Sequence, residues 1–504
     1  MTSFELLKLL GNAQDDYIMD SRKRPSSPKR PPVLKIAALA ACAAILIGIG
    51  STVLYLKPWA SSGSSAPGSD TETLSSPAPS EIAASGSELA PAASADPLDS
   101  DHITLLAAAQ IPAMAKTTEE ESEIWKNNQV SDSTDYALSA FSYQMGSKVL
   151  SGTEESVCFS PLSLYELLSV IASGSEGSTQ EQLLSLLGQG DMDTLKSEMQ
   201  KLYRANQRDT DTEHLEFANS LWLDEKQQDG TNQVGFRQDW VMQAAEDYYC
   251  DVYAADFSSG DGGAPLAAWI NQHTGNLLAG QVNNLDIDPQ TVMAAVNTLW
   301  YHAQWSDQFE KTVQDTFTAQ DGSRTTCDFM QKTDYMSEAV ITDRYTKGRL
   351  VLSSGLMYVV LPKEGVSVDD LLSEDTLWEM FEDSSYQTAE VNWSVPKFST
   401  DSTLELTDAL TAAGVTDAFD SETANFSPIA ETPLYLSTVK QGTHIAVNED
   451  GIDAASYSFA GFLAGAGEPD EVAEVDMNLN RPFLYLITSQ DGSPLFMGVV
   501  RTVE

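Results

Sequence analysis

The chain has 504 residues, 42% of them hydrophobic, enough to bury a large core. Lys and Arg number 28 against 74 Asp and Glu, a net charge of −46, so DNA, RNA and heparin-like polyanions are repelled and are not expected as partners. The four cysteines, Cys42, Cys158, Cys250 and Cys327, show no C-x-x-C spacing and imply neither a disulfide framework nor a metal site.

Phe4 to Ser21, "FELLKLLGNAQDDYIMDS", carries apolar residues at helical spacing. It reads either as an amphipathic helix lying near a membrane or as a short cytoplasmic segment like those of some bacterial single-pass proteins. Ile36 to Leu56, "IAALAACAAILIGIGSTVLYL", is almost uninterruptedly apolar. A helix needs about 20 such residues to cross about 30 Å of hydrocarbon, so this stretch is expected to be a transmembrane helix. Arg22, Lys23, Arg24, Lys29, Arg30 and Lys35 precede it and the single Lys57 follows, which places residues 1–35 in the cytoplasm and the rest outside the cell, as in a signal-anchor. Cleavage as a signal peptide has only a weak exit site in "KPWASSGSS". The "LAAC" at Leu39 to Cys42 resembles a lipobox, but its apolar run continues past the cysteine.

Residues 57–102 are Ser, Ala, Pro, Gly and acid, too poor in large apolar side chains to offset their ordering entropy. They are expected to form a disordered linker with a mean reach of roughly 35 Å. The remainder, 103–504 with its core at 133–504, is expected to be one folded domain. Asp135 to Leu150 and Ser163 to Ser175 have helical periodicity, whereas His214 to Asp224, Val292 to His302, Leu356 to Pro362 and Ala389 to Phe398 read as strands. "RPFLYLITSQDGSPLFMGVV", Arg481 to Val500, reads as a hairpin turning at Asp491 and Gly492. Early helices and late strands point to an α+β fold with antiparallel sheets.

Five histidines, His102, His214, His273, His302 and His444, are scattered, and no H-E-x-x-H, G-x-S-x-G, Walker or dinucleotide motif occurs. The chain is not expected to be an enzyme or to carry a cofactor or metal.

Five passages in order then resemble one family. They are "FSPLSLYELLSVIASGSEGSTQEQLLSLLG" from Phe159, "VNTLWYHAQWSDQFE" from Val296, "VPKFSTDSTLELTDALTAAGVTDAFD" from Val395, "VNEDGIDAAS" from Val447, and the Arg481 to Val500 hairpin. They resemble the serpins, and the likeness covers about Ser133 to Glu504. It implies three β-sheets, eight or nine helices and an exposed reactive loop, on a chain acting as a monomer. It also implies suicide inhibition: a serine protease cleaves the loop and is held as a covalent acyl-enzyme while the loop inserts into the large sheet. By the same likeness Ser160, Ser163 and Asn297 belong to a polar cluster behind that sheet, and Trp305 lies near the insertion point. Gln441 departs from the pattern, standing where many animal members have a histidine.

The hinge that this implies is Glu449, Gly451, Ile452, Ala454, Ala455 and Ser456. Residues two apart share a face in an extended strand. One face carries Ile452, Ala454, Ser456, Ser458, Ala460 and Phe462, and the other Asp453, Ala455, Tyr457, Phe459 and Gly461, so the charge falls outward. No proline interrupts the run before Pro469. Ile452 and Tyr457 are larger than the family's usual small residues at these places. The scissile bond is expected within Phe462, Leu463, Ala464, Gly465 and Ala466, where the small residues suit an elastase-like or subtilisin-like protease and cleavage after Phe462 or Leu463 would suit a chymotrypsin-like one. No Lys or Arg occurs between Lys440 and Arg481, which disfavours a trypsin-like one. The alternative is a non-inhibitory member used as an extracellular binding or sensing module.

Overall fold

The computed structural model describes residues 103–503, apart from 211–212, 225–234, 258–262, 283–286, 288–290 and 453–472. The proposed anchor, the linker and the scissile window lie outside the described residues. Among those described, no helix is long and apolar enough to cross a membrane.

Strands are numbered in chain order. The first sheet runs β1 (Ile103–Ala107), β5 (Cys250–Ala255), β4 (Glu213–Asp224), β6 (Met293–Gln304), β14 (Gly451–Ile452), β13 (Thr438–Val447) and β12 (Phe398–Glu405), with β3 (Arg208–Asp209) paired to β4. The second runs β15 (Ala473–Asn478), β11 (Gln387–Pro396), β8 (Arg324–Ile341), β9 (Tyr345–Leu352), β10 (Gly355–Pro362), β16 (Phe483–Ser489), β17 (Pro494–Val500) and β2 (Val157–Phe159), with β7 (Lys311–Thr318) paired to β8. The strands expected at His214 to Asp224 and Leu356 to Pro362 fall inside β4 and β10, that at Val292 to His302 starts one residue before β6, and that at Ala389 to Phe398 runs past the end of β11 into the first residue of β12.

Where three sheets are implied by the resemblance, hydrogen bonding joins the described strands into two. The cause is β8, which pairs with β7 and β11 along most of its length and turns to β9 at Ala339–Ile341. One long strand thus belongs to two layers.

Ten α-helical segments are present among the described residues, one more than the largest number expected because α8 is a single turn. They are α1 (Thr118–Asn127), α2 (Asp132–Val149), α3 (Pro161–Ser173), α4 (Gly177–Leu186), α5 (Met192–Asn206), α6 (Gln238–Asp247), α7 (Gly263–His273), α8 (Ala279–Val282), α9 (Glu374–Glu382) and α10 (Thr407–Ala412). Local chemistry starts α2 three residues before the expected Asp135 and α3 two before the expected Ser163. Ser131 caps α2 by accepting from Thr134 N, and α3 begins with Pro161 behind the cap Ser160.

What positions the site is α3. It packs against β6 of the first sheet and β17 of the second, so all but its last residue are buried. Every residue of β16 and β17 is buried as well, which explains why that hairpin reads as two continuous apolar runs. On the opposite face of the first sheet, α7 contributes Leu266, Trp269 and Ile270 to a second core with Trp222, Tyr253 and Val296.

The hinge and the seam beneath it

In the first sheet β6 and β13 run parallel and pair directly only from Thr438↔Ala294 to Gln441↔Asn297. At their other ends β14 stands between them, with Gly451 opposite Gln304 and Ile452 opposite both Ala303 and Val447. The two strands therefore part just beyond Asn297 and Gln441, leaving a seam already occupied at its far end by Gly451 and Ile452 of the hinge.

A tight turn brings the chain from β13 into β14. The Asn448 N–H donates to Gly451 O at 3.0 Å, while Asn448 Oδ1 accepts from Asp450 N at 2.9 Å and Gly451 N at 3.2 Å. Trp305 fastens this turn from outside: its backbone N–H donates to Asp450 O at 3.2 Å and its indole Nε1 to Asn448 O at 2.8 Å. The ring packs edge-on against Phe309 with 5.6 Å between centroids. Glu449, the exposed corner, pairs with Lys397 Nζ at 2.7 Å, and that partner holds its carboxyl below the ordinary range.

Gly451 is required by space. Its φ is +154°, and a Cβ there would lie 2.0 Å from Ala303 O. Ile452, the next residue, is fully buried, an interaction that contributes about 1.5–3 kcal/mol. Gly451→Val is accordingly expected to unseat the hinge and lower stability by about 2 kcal/mol, measured by thermal unfolding. An unchanged melting curve would contradict this geometry.

Behind the parting point, α3 presents the polar cluster. Gln441 Oε1 accepts from Ser160 N at 2.8 Å and its Nε2 donates to Ser160 O at 3.0 Å. The amide thus satisfies both backbone groups, so glutamine fills the position without a titrating ring. Ser160 Oγ accepts from Ser163 N at 3.4 Å, capping the helix. Asn297 Nδ2 donates to Asn219 Oδ1 of β4 at 2.7 Å. Ser160, Ser163, Asn297 and Trp305, singled out in the sequence, thus all border the seam. Of the hinge residues, Glu449, Gly451 and Ile452 are placed at its mouth, while Ala454, Ala455 and Ser456 lie outside the described residues.

Sequence reasoning missed Glu166, one turn along α3 from Ser163. It is buried at 2% exposure, and neither carboxyl oxygen has a hydrogen-bond partner. Burial pushes its pKa well above the ordinary value, with nearby Asn219 pulling it down only in part. The available signal was a lone acid in the otherwise uncharged run "SPLSLYELLSVIA". A carboxyl whose folded pKa exceeds its unfolded one subtracts stability as pH rises past the unfolded value. Glu166→Gln should therefore stabilise the uncleaved protein by about 1–3 kcal/mol at neutral pH and flatten the fall of melting temperature above about pH 5. Destabilisation by Glu166→Gln at pH 7.5 would contradict this.

Cys158, Cys250 and Cys327 are free thiols and are buried. Among the described residues no cluster of His, Cys, Asp and Glu is arranged to hold a metal.

Residues 136–503 match the family described as Serpin (serine protease inhibitor). A serpin-like protein of Methanosarcina mazei is 27% identical over 385 residues, covering 73% of this chain and 87% of that protein. Native tengpin, a thermophilic serpin, superposes with a TM-score of 0.64 at 23% identity, covering 80% of this chain and 100% of that one. Thyroxine-binding globulin in complex with thyroxine superposes at 0.62 and 22% identity, covering 73% of this chain and all of that one. With the family match spanning well over half its length, the chain belongs to the serpin family.

Proposed function

We propose that this serpin is a suicide-substrate inhibitor of serine proteases, held at the outer face of a cell membrane by Ile36 to Leu56 with its N-terminus in the cytoplasm. The observation that carries the inhibitory reading is the buried Ile452 between β6 and β13. The seam accepts this segment as a strand, and the next residues on the same face, Ala454, Ser456, Ser458 and Ala460, are small and uncharged. The protease serine attacks the scissile carbonyl, the amine of the downstream residue leaves with a proton, and the ester remains on the upstream segment. Completing the strand then carries that ester along the sheet: fifteen residues at about 3.3 Å each span roughly 50 Å.

"FLAGAG", Phe462 to Gly467, favours an elastase-like or subtilisin-like enzyme with a shallow primary pocket. The membrane assignment rests on hydropathy and on the cations before the span. The domain acts alone, as a monomer meeting one protease.

A second reading, a non-inhibitory binding module, draws support from the likeness to thyroxine-binding globulin, which is solved with a bound small molecule, and from the bulk of Tyr457. Incubating the full chain in detergent with elastase-like and subtilisin-like proteases separates the two. A band of summed mass on a denaturing gel supports inhibition, and mass spectrometry of the released C-terminal peptide fixes the scissile bond. Loop cleavage without a complex across a protease panel supports the module.

A further inference from the structure

We infer that a row of titratable side chains on the outer face of the first sheet, Asp209, His214, Glu216, His273 and Asp251, is an acid-tightened latch that holds α7 over the seam and restrains strand entry. The inference rests on the loop-insertion reading above. It starts from outward-facing positions that the polar cluster does not use.

Along the row, acid and base alternate. His214 Nδ1 meets Asp209 Oδ1 at 3.2 Å, and its Nε2 meets Glu216 Oε2 at 3.3 Å. His273, the last residue of α7, places Nδ1 3.4 Å from Glu216 Oε1 and Nε2 4.0 Å from Asp251 Oδ2. Asp251 is itself fixed, its Oδ2 accepting from Trp269 Nε1 at 2.9 Å and its Oδ1 from Ala109 N at 2.8 Å. The imidazoles lie against indoles, His214 on Trp300 at 4.1 Å and His273 on Trp269 at 4.4 Å. The histidine at the end of α7 is thus held between carboxylates of β4 and β5.

What α7 leads into explains why this matters. Leu278, just beyond the helix, covers Gly442 of β13 so closely that a Cβ on Gly442 would lie 3.0 Å from Leu278 Cδ1. Gly442 is the first residue after Gln441, where direct pairing of β13 with β6 ends. A strand completing the seam points alternate side chains at the same outer face, into space that Leu278, just after α7, now covers at Gly442. Entry therefore requires this segment to lift, and lifting separates His273 from Glu216 and Asp251.

The direction with pH follows from charge. Burial alone would raise the Glu216 pKa, but His214 and His273 outweigh it and hold the carboxyl at about 2, so it is an anion throughout the physiological range. Burial lowers His214, but Glu216 and Asp209 outweigh that and raise it. His214 keeps both carboxylates when α7 lifts, because all three lie on β3 and β4 or the turn between them. His273 does not: in its charged form it lies within ion-pair reach of Glu216, at 3.4 Å, and of Asp251, at 4.0 Å, only while the latch is closed. Other titrating groups border this region. His302 of β6 stands opposite His214 in register, Glu213 lies next along β4 with its pKa raised to about 7 by burial against the pull of Arg208, and His444 of β13 pairs with Asp401. Glu246 of α6, near Ala109, accepts from Gln110. Glu213, His444 and Glu246 keep the partners named here when α7 lifts, so substitution of His273 tests the latch directly.

The test uses the full chain in detergent and a synthetic peptide of Gly451 to Ala460, "GIDAASYSFA", acetylated and amidated, whose only titrating groups below pH 9 is the Asp453 carboxyl. Peptide annealing into the sheet is followed by native gel and by the gain in melting temperature at pH 6.0 and 8.0. Annealing should be about threefold or more slower at pH 6.0, the range expected of a partly buried ion pair. His273→Gln should anneal at the fast rate at both pH values, and Glu216→Gln, whose neutral amide cannot hold the imidazolium, should do the same if His273→Gln fails to fold. A wild-type rate independent of pH, or an unchanged pH ratio in a folded variant, overturns the latch alone. Failure of the peptide to anneal at any pH overturns the insertion reading and the latch with it.

Discussion

Replacing Ala454 with Arg is expected to convert the protein from a trap into a substrate. Ile452 is buried, and Ala454, two residues on, shares its face in an extended strand. The path of that face runs toward the seam interior, over Leu299 and Tyr301 of β6 and Thr443 and Ile445 of β13, all buried. Placing a guanidinium that is left unpaired among these groups costs several kcal/mol. Cleavage of the loop by a protease needs none of this burial, so the first step survives and the second fails. On a denaturing gel the variant should yield cleaved chain and released peptide with no complex, and protease activity should recover fully. A variant that still traps one protease per molecule would mean that the inserted register is not the one that buries Ile452.

The second large effect is thermal. Cleaving the loop within Phe462 to Ala466 frees the segment to fill the seam, adding buried apolar groups such as Phe462 and a ladder on both sides of the new strand. At about 1.5–3 kcal/mol for each large side chain, plus ladder hydrogen bonds at about 1 kcal/mol, the gain exceeds about 5 kcal/mol. For a domain of this size that corresponds to a rise in melting temperature of at least about 6 °C. Calorimetry before and after limited proteolysis measures it. An unchanged melting temperature would remove insertion from the account and favour the binding-module reading.

Much of this was legible in the sequence, for physical reasons that differ by element. The helices α2 and α3 announce themselves through apolar residues at helical spacing, and β4 and β6 through apolar runs of strand length. The pivot was legible because glycine followed by alternating small residues is a pattern that chemistry restricts. The polar cluster was only half legible. Ser160 and Gln441 meet across 281 positions of sequence through one side-chain amide, and no local period encodes such a pairing. Glu166 stayed hidden because a helix's buried face is inferred from its apolar members, and an acid on that face reads as solvent-facing until the second layer is in place. The histidine row was equally invisible: His214 and His273 look scattered in the chain and are joined only by the crossing of α7 over β4. The merging of three expected sheets into two reflects a single strand, β8, whose length of 18 residues gave no hint of where it would change partners.

The order of the first sheet carries a mechanical corollary. Its two margins are β1 and β12, and the seam divides them into a block of β1, β5, β4 and β6 and a block of β13 and β12. Each additional strand widens a sheet by about 4.8 Å. Filling the seam along its whole length therefore drives β1 away from β12 by that spacing, where β14 now holds them apart only at one end. Since the chain enters the fold through β1, the point at which residues 57–102 attach is displaced with the moving block. Fluorophores at Thr104 and Ser399 would register that shift as a step in transfer efficiency, turning the point of attachment into a gauge of whether the protein has been spent.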